Sequence, residues 1–99
     1  NDESPCDLIA AKLGHKGYAI EAKSSRKNHI YISKRQIEDF VLYASIIGLK
    51  PAIAVRFSYE GWLFLSPQQL EDSGKSWVVN REKAKINGLK FGQFFEHEL

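Results

Sequence analysis

The chain has one cysteine, no apolar run near the length of a membrane helix, and no acidic residue between Glu21 and Glu38. Each absence excludes something. A lone Cys6 has no internal partner for a disulfide, which fits a reducing, cytosolic setting. A membrane-crossing helix needs roughly 20 consecutive apolar residues, and neither that nor a signal-peptide pattern is found. Internal repeats, low-complexity tracts and linkers are missing as well, so residues 1–99 read as one continuous domain.

What is there is ordinary in bulk and uneven in distribution. The 43% apolar and 26% charged fractions are those of a globular domain with a single core, which argues against disorder. The net charge is only +2, yet Lys23, Arg26, Lys27, Lys34 and Arg35 all fall in or beside the acid-free stretch. The acids gather elsewhere, at Asp2 and Glu3, Glu38 and Asp39, Glu71 and Asp72, Glu96 and Glu98. A basic patch on a near-neutral chain suits an anionic partner bound on one face. On charge alone, a solvated lysine-rich loop is the commoner explanation.

Local patterns predict the order β-β-(β)-α-β-β-α-(β)-α, an α/β fold with a mixed sheet. Cys6–Ala11 and Gly17–Lys23 read as strands separated by a turn at Gly14 and Gly17. A polar loop, Ser24–His29, precedes the β-rich triplet Ile30–Ile32. Ser33 then offers an N-cap, with Gln36 completing a capping box. Ile37, Phe40, Val41, Ala44 and Ile47 follow helical spacing up to a stop at Gly48. Leu42, Tyr43 and Ile46 widen that face, as extra core or as a second buried surface. Ala52–Phe57 and Trp62–Leu65 are strands around a turn at Ser58–Gly61. Ser66-Pro67 starts a short helix, Ser76–Val79 forms an edge strand, and Gly92–Leu99 closes the chain as an amphipathic helix using Phe94 and Phe95.

The stretch with most chemical content is Asp7-Leu-Ile-Ala followed by Ile20-Glu21-Ala22-Lys23. Residues i and i+2 of a strand share a face, so Glu21 and Lys23 point together while Ile20 and Ala22 point the other way. Asp7 joins them only if it pairs opposite an odd-numbered residue near Glu21. That register centres the connection on Gly14, whereas a two-residue turn at His15-Lys16 would turn Asp7 to the wrong face. Two converging carboxylates, with the Ala22 carbonyl as a further oxygen, suit Mg²⁺. Lys23 beside them could orient water or stabilise a charged transition state. The same residues are also compatible with a surface Glu–Lys pair and an unrelated aspartate.

Pro5-Cys-Asp7-Leu-Ile-Ala with Ala19-Ile-Glu21-Ala-Lys23-Ser24 resembles motifs two and three of the PD-(D/E)XK nuclease superfamily. More narrowly, the chain is similar to the archaeal-type Holliday junction resolvases, which also occur in viruses. The likeness continues through Ile30-Tyr-Ile-Ser-Lys-Arg-Gln36-Ile, the helix to Gly48, Ala52–Phe57 and Trp62-Leu-Phe, and so covers most of residues 4–70. It implies a restriction-endonuclease-like mixed sheet flanked by helices. The enzyme it implies is homodimeric and Mg²⁺-dependent, with Mn²⁺ a possible substitute, and nicks opposed strands of a four-way DNA junction. Asp7 and Glu21 would be catalytic metal ligands joined by the Ala22 carbonyl, Lys23 the catalytic lysine, and Ser4, Arg26, Lys27, Lys34 and Arg35 DNA contacts. The setting would be cytoplasmic, in an archaeon or in the host of a virus.

Two departures stand out. Cys6 replaces the proline that usually precedes the aspartate. The family also has an acidic residue on a helix upstream, while only six residues precede Asp7 here, so that helix is expected to be missing from this chain. Gln36 could face the site, but its capping role already accounts for it. His15, His29 and His97 lack metal-ligand spacing, Ser24 and Ser25 lack a nearby base, and Trp62 and Phe64 read as core or interface. Another nuclease of the superfamily and a non-catalytic DNA-binding module of the same fold are the competing readings.

Overall fold

The computed structural model describes residues 7–10 and 17–98, which leaves Ser4, Cys6, Gly14 and His15 outside the described residues. Strand β1 (Leu8–Ala10) pairs antiparallel with β2 (Tyr18–Ser25), with Leu8 opposite Ile20 and Ala10 opposite Tyr18. The pairing ends at Leu8, and Asp7 just before it bonds through its N–H to Ile20 O at 2.9 Å, which keeps it at the β1–β2 edge beside Ile20 and Ala22. From β2 the chain passes through β3 (His29–Ser33) and α1 (Lys34–Ile46) before returning as β4 (Lys50–Phe57), parallel to β2. Strand β5 (Leu63–Leu65) adds antiparallel to β4, giving the mixed order β1-β2-β4-β5.

The expected single sheet is in fact two. β3 leaves the mixed sheet and pairs antiparallel with β7 (Ser76–Asn80), which also pairs with the short β6 (Glu71–Asp72). The stretch read as an edge strand is thus the middle of a second sheet. Side-chain alternation explains the split. β3 alternates exposed and buried, with Ile30 and Ile32 inward. That is the pattern of an antiparallel strand solvated on one face, whereas β2 and β4 bury both faces as a parallel pair must. The loop after β2 is shorter than expected, because β2 runs to Ser25 and β3 starts at His29.

Helix α1 behaves as read: Ser33 Oγ accepts the Gln36 N–H at 3.1 Å, and Gly48, at φ +75, follows its C-terminus in the left-handed conformation glycine adopts freely. A helix not foreseen, α2 (Arg81–Asn87), is capped by Asn80, whose side chain accepts from Lys83 N at 3.1 Å. The closing helix α3 spans Phe91–Glu98, and Ser66-Pro67 opens only a 3-10 turn, Pro67–Gln69.

Two cores lie on opposite faces of the mixed sheet. Ala19, Ile53, Val55 and Phe57 meet Ile37, Phe40 and Ala44 of α1 on one side, together with Ile30 and Ile32. Tyr18, Ile20, Ala52, Ala54 and Phe64 meet Phe94 and Phe95 of α3 on the other. Tyr43 packs against the first core, but Leu42 and Ile46 are exposed, so the broadened face of α1 is not all core. No helix among the described residues is long and apolar enough to cross a membrane.

Candidate active site

The backbone of β2 sorts itself by parity. Gly17 O accepts from Lys50 N at 3.0 Å and Ser25 O from Ser58 N at 2.7 Å, so odd-numbered residues turn their polar groups toward β4 and the loop after it. Even-numbered residues face β1: Ile20 O accepts from Asp7 N at 2.9 Å, and Ala22 N donates to Asp7 Oδ2 at 2.6 Å. The N–H and C=O of one strand residue leave on the same side. The Ala22 carbonyl therefore points to the edge where the Asp7 carboxylate sits. Asp7 itself takes the place of a ladder acceptor at the point where β1 begins.

Side chains of β2 follow the complementary parity. Tyr18 and Ile20 pack on the α3 side, while Ala19 packs on the α1 side. Glu21 and Lys23 share the α1 side with Ala19. Glu21 is 5% exposed and is the one buried charged side chain among the described residues. Its Oε2 accepts from Gln36 Nε2 at 2.8 Å, and Lys23 Nζ lies 3.5 Å from the same oxygen. Burial raises the Glu21 pKa above the ordinary carboxylate value and the negative charge of Asp7 adds to this; Lys23 and Gln36 pull it back only in part.

This cluster is short of positive charge around an acid that resists ionising. Both contacts of Glu21 fall on Oε2, which leaves Oε1 to meet another group. Among the described residues no set of three or more His, Cys, Asp or Glu gathers. The donor set is thus two carboxylates and a backbone carbonyl, all hard oxygens, which fits a divalent cation of the Mg²⁺ kind that keeps several waters. It does not suit a thiophilic metal.

Gln36 is the residue that sequence reasoning misassigned. Its backbone N–H is capped by Ser33 as expected, but its side-chain amide reaches across to Glu21 rather than back to the cap. A buried carboxylate demands donors, and the first turn of α1 is where one is available. The partners are fifteen positions apart, which no local pattern encodes.

The predicted DNA-contacting residues divide into two groups. Arg26 and Lys27 lie in the loop after β2, with Arg26 Nη2 3.4 Å from Tyr59 Oη and Lys27 N donating to Ser25 Oγ at 3.0 Å. Lys34 and Arg35 open α1 immediately before Gln36. Lys34 is engaged with Asp72 at 2.8 Å and lies 5.0 Å from the centre of the Trp77 ring, whereas Arg35 is almost fully exposed and only 3.9 Å from Asp39. His29 lies 3.1 Å from Asn80 Nδ2 and stacks on Tyr31, a structural setting like the one expected for it.

Comparison with known proteins shows which family the chain resembles. The family model described as archaeal Holliday junction resolvase (Hjc) matches residues 1–98. The chain belongs to that family. The crossover junction endodeoxyribonuclease Hjc of Methanocaldococcus jannaschii is 38% identical over 85 residues, which cover 86% of this chain and 62% of that protein. The enzyme of the same name from Archaeoglobus fulgidus is 28% identical over 99 residues, 96% of this chain and 72% of its own length. The solved structure of Archaeoglobus fulgidus Hjc, described as a Holliday junction resolvase, superposes with a TM-score of 0.80 at 27% identity, covering 93% of this chain and 75% of that one. The Hjc fold is therefore the fold seen here, and the chain spans somewhat under two thirds of the first relative's length.

Proposed function

We propose that this Hjc-family chain is the nuclease domain of a structure-selective endonuclease that resolves four-way DNA junctions by paired phosphodiester hydrolysis. The observation that carries the reading is the cluster at the β1–β2 edge: Asp7 is bonded to Ile20 O and Ala22 N, its charge acts on the buried Glu21, and Lys23 Nζ lies 3.5 Å from Glu21. Asp7, Glu21 and the Ala22 carbonyl would hold a divalent cation, Mg²⁺ or in its place Mn²⁺. When bound, such an ion supplies Lewis acidity to the scissile phosphodiester.

The chain's own residues do the rest. Glu21 must be ionised to act as a ligand, and its raised pKa makes that ionisation dependent on the positive charge brought to the site. Gln36 holds Oε2 and so aims the opposite oxygen. Lys23, the nearest cation, faces the charge that builds on the phosphoryl oxygens. Arg26, Lys27, Lys34 and Arg35, with Ser4, contact the DNA backbone, Lys34 by exchanging Asp72 for phosphate. A homodimer, two sites at fixed spacing, matches two opposed strands, so selectivity comes from shape rather than from base contacts. The enzyme acts in the cytoplasm.

The test is cleavage of a synthetic four-way junction beside a linear duplex of the same sequence, using the full-length protein with Mg²⁺ and then with EDTA. Symmetric nicks in the junction alone, lost with EDTA, are the expected result. Equal cutting of both substrates would leave a general nuclease, and binding without cutting a DNA-binding module. Asp7→Asn, which keeps an oxygen acceptor for Ala22 N–H, should lose cleavage and keep junction binding. Loss of the fold in that variant would make Asp7 a structural residue.

A further inference from the structure

The opposite side of the mixed sheet carries aromatic and cationic groups that no part of the proposed hydrolysis uses. Beyond the turn that ends β4, Trp62 is 38% exposed, and Phe91, which opens α3, is 60% exposed. They line one groove of about 480 Å³ together with Leu63, Lys85, Lys90 and Glu60. That volume falls within the roughly 300–1,000 Å³ typical of small-ligand sites. The Arg56 guanidinium lies 5.1 Å from the centre of the Trp62 ring. Arg56 has no carboxylate partner among the described residues, and its buried Nε has no hydrogen-bond partner among them either. Lys90 is exposed and makes no ion pair among the described residues. The single acid in the groove, Glu60, is already held by Arg81 at 2.6 Å and Lys85 at 2.8 Å.

The groove connects to the candidate active site along the ends of the parallel strands. Ser58 N bonds Ser25 O at 2.7 Å where β2 and β4 finish, and Arg26 reaches the hydroxyl of the exposed Tyr59 at 3.4 Å. Arg26 and Tyr59 thus lie at the strand ends after Lys23, and Arg56, Trp62, Lys90 and Phe91 gather at the groove. An apolar peptide would leave this charge unanswered, and a phosphate alone would not need the rings. Single-stranded nucleic acid answers both, because its backbone is anionic and every base offers a face to stack.

We infer that the Trp62–Phe91 groove binds an unpaired stretch of DNA strand, stacking its bases on the two rings and placing its phosphates against Arg56 and Lys90. The inference rests on the chain acting on DNA, as proposed above. In a branched substrate it would hold strand drawn out of the duplex beside the cut, at a site separate from the reacting carboxylates.

The test is fluorescence anisotropy of a labelled twelve-nucleotide oligo-dT and of a four-way junction, on the full chain with EDTA so that nothing is cut. Trp62→Ala and Phe91→Ala should each weaken oligo-dT binding by about tenfold while Trp62→Phe retains most of it. Lys90→Glu should weaken it as well and flatten its salt dependence by about one counterion. This exposed position also serves if Trp62→Ala fails to fold by circular dichroism. Unchanged oligo-dT affinity in folded variants would overturn the inference, and so would a changed sedimentation coefficient with unchanged binding, which would make the groove a contact between copies. Loss of junction binding by the wild-type chain would instead overturn the proposed function.

Discussion

Two glutamates divide this molecule between them. Glu21 and Glu60 each face a lysine, yet their surroundings are opposite. Glu60 lies on the surface between Arg81, which grips both of its oxygens at 3.0 and 2.6 Å, and Lys85 at 2.8 Å; these bonds lower its pKa to about 2. Glu21 is buried beside another acid, with a single lysine at 3.5 Å and a neutral amide, and its pKa is raised. The first acid is satisfied by the protein and joins the β4–β5 turn to α2. The second is left deficient. A site that must attract a cation cannot already contain enough positive charge, so the energetic fault at Glu21 is what the proposed chemistry requires.

The strongest way to break the comparison is Glu21→Gln. It keeps the shape and removes the charge, so cleavage should fall by about a thousandfold or more, as when a transition-state contact is lost together with a ligand. The metal-free protein should nevertheless melt at a higher temperature at neutral pH, because a buried ionised group has gone. A lower melting temperature would mean that Glu21 is held as comfortably as Glu60. Gln36→Leu should have a smaller effect. It removes the donor to Oε2 without emptying the space, and metal affinity measured by calorimetry should fall by about 10–100-fold, the range typical of lost supporting contacts. Affinity equal to wild type would show that Glu21 needs no such support.

The mildest test is the pH dependence of stability without metal, where the two acids have opposite signs. Glu21 binds its proton more tightly in the folded chain than in the unfolded one. Its contribution is complete below the ordinary value of 4.5 and is lost as the pH rises through the raised folded value. Glu60 contributes above 4.5, and its share is lost as the pH falls toward about 2. Glu21→Gln should therefore flatten the neutral side of the melting-temperature profile and Arg81→Gln the acid side, with cleavage untouched in the latter. A neutral-side slope that survives Glu21→Gln would assign it to another group.

What was legible in the sequence follows the same division. The capped start of α1 and the strand carrying Glu21 and Lys23 could be read, because each depends on a spacing of two, three or four residues. The placement of Asp7 could be stated only as a condition, because it depends on how the turn between the two strands is built. The clamp on Glu60, the Gln36 bond and the pairing of Lys34 with Asp72 could not be read, since their partners are 15 to 38 positions apart. The second sheet was hidden for the same reason: Ser76–Asn80 looks like any short strand until β3 and β6 flank it. Helix α2 did carry a local signal, Asn80 three residues before Lys83, but its seven residues are too few for a clear apolar stripe.

The position of Gln36 in the opening turn of α1 has a consequence for how this domain would fail on heating. Helix ends open locally at a fraction of the free energy of global unfolding. Here the turn that carries the Glu21 donor is secured by the Ser33 Oγ cap and by the exposed Lys34–Asp72 pair. A brief fraying of that turn releases Glu21 while both sheets stay intact. Amide exchange at Gln36 should then outpace exchange at Ile53 and Val55 in the sheet interior, and the site should come apart at temperatures where the rest of the molecule still holds.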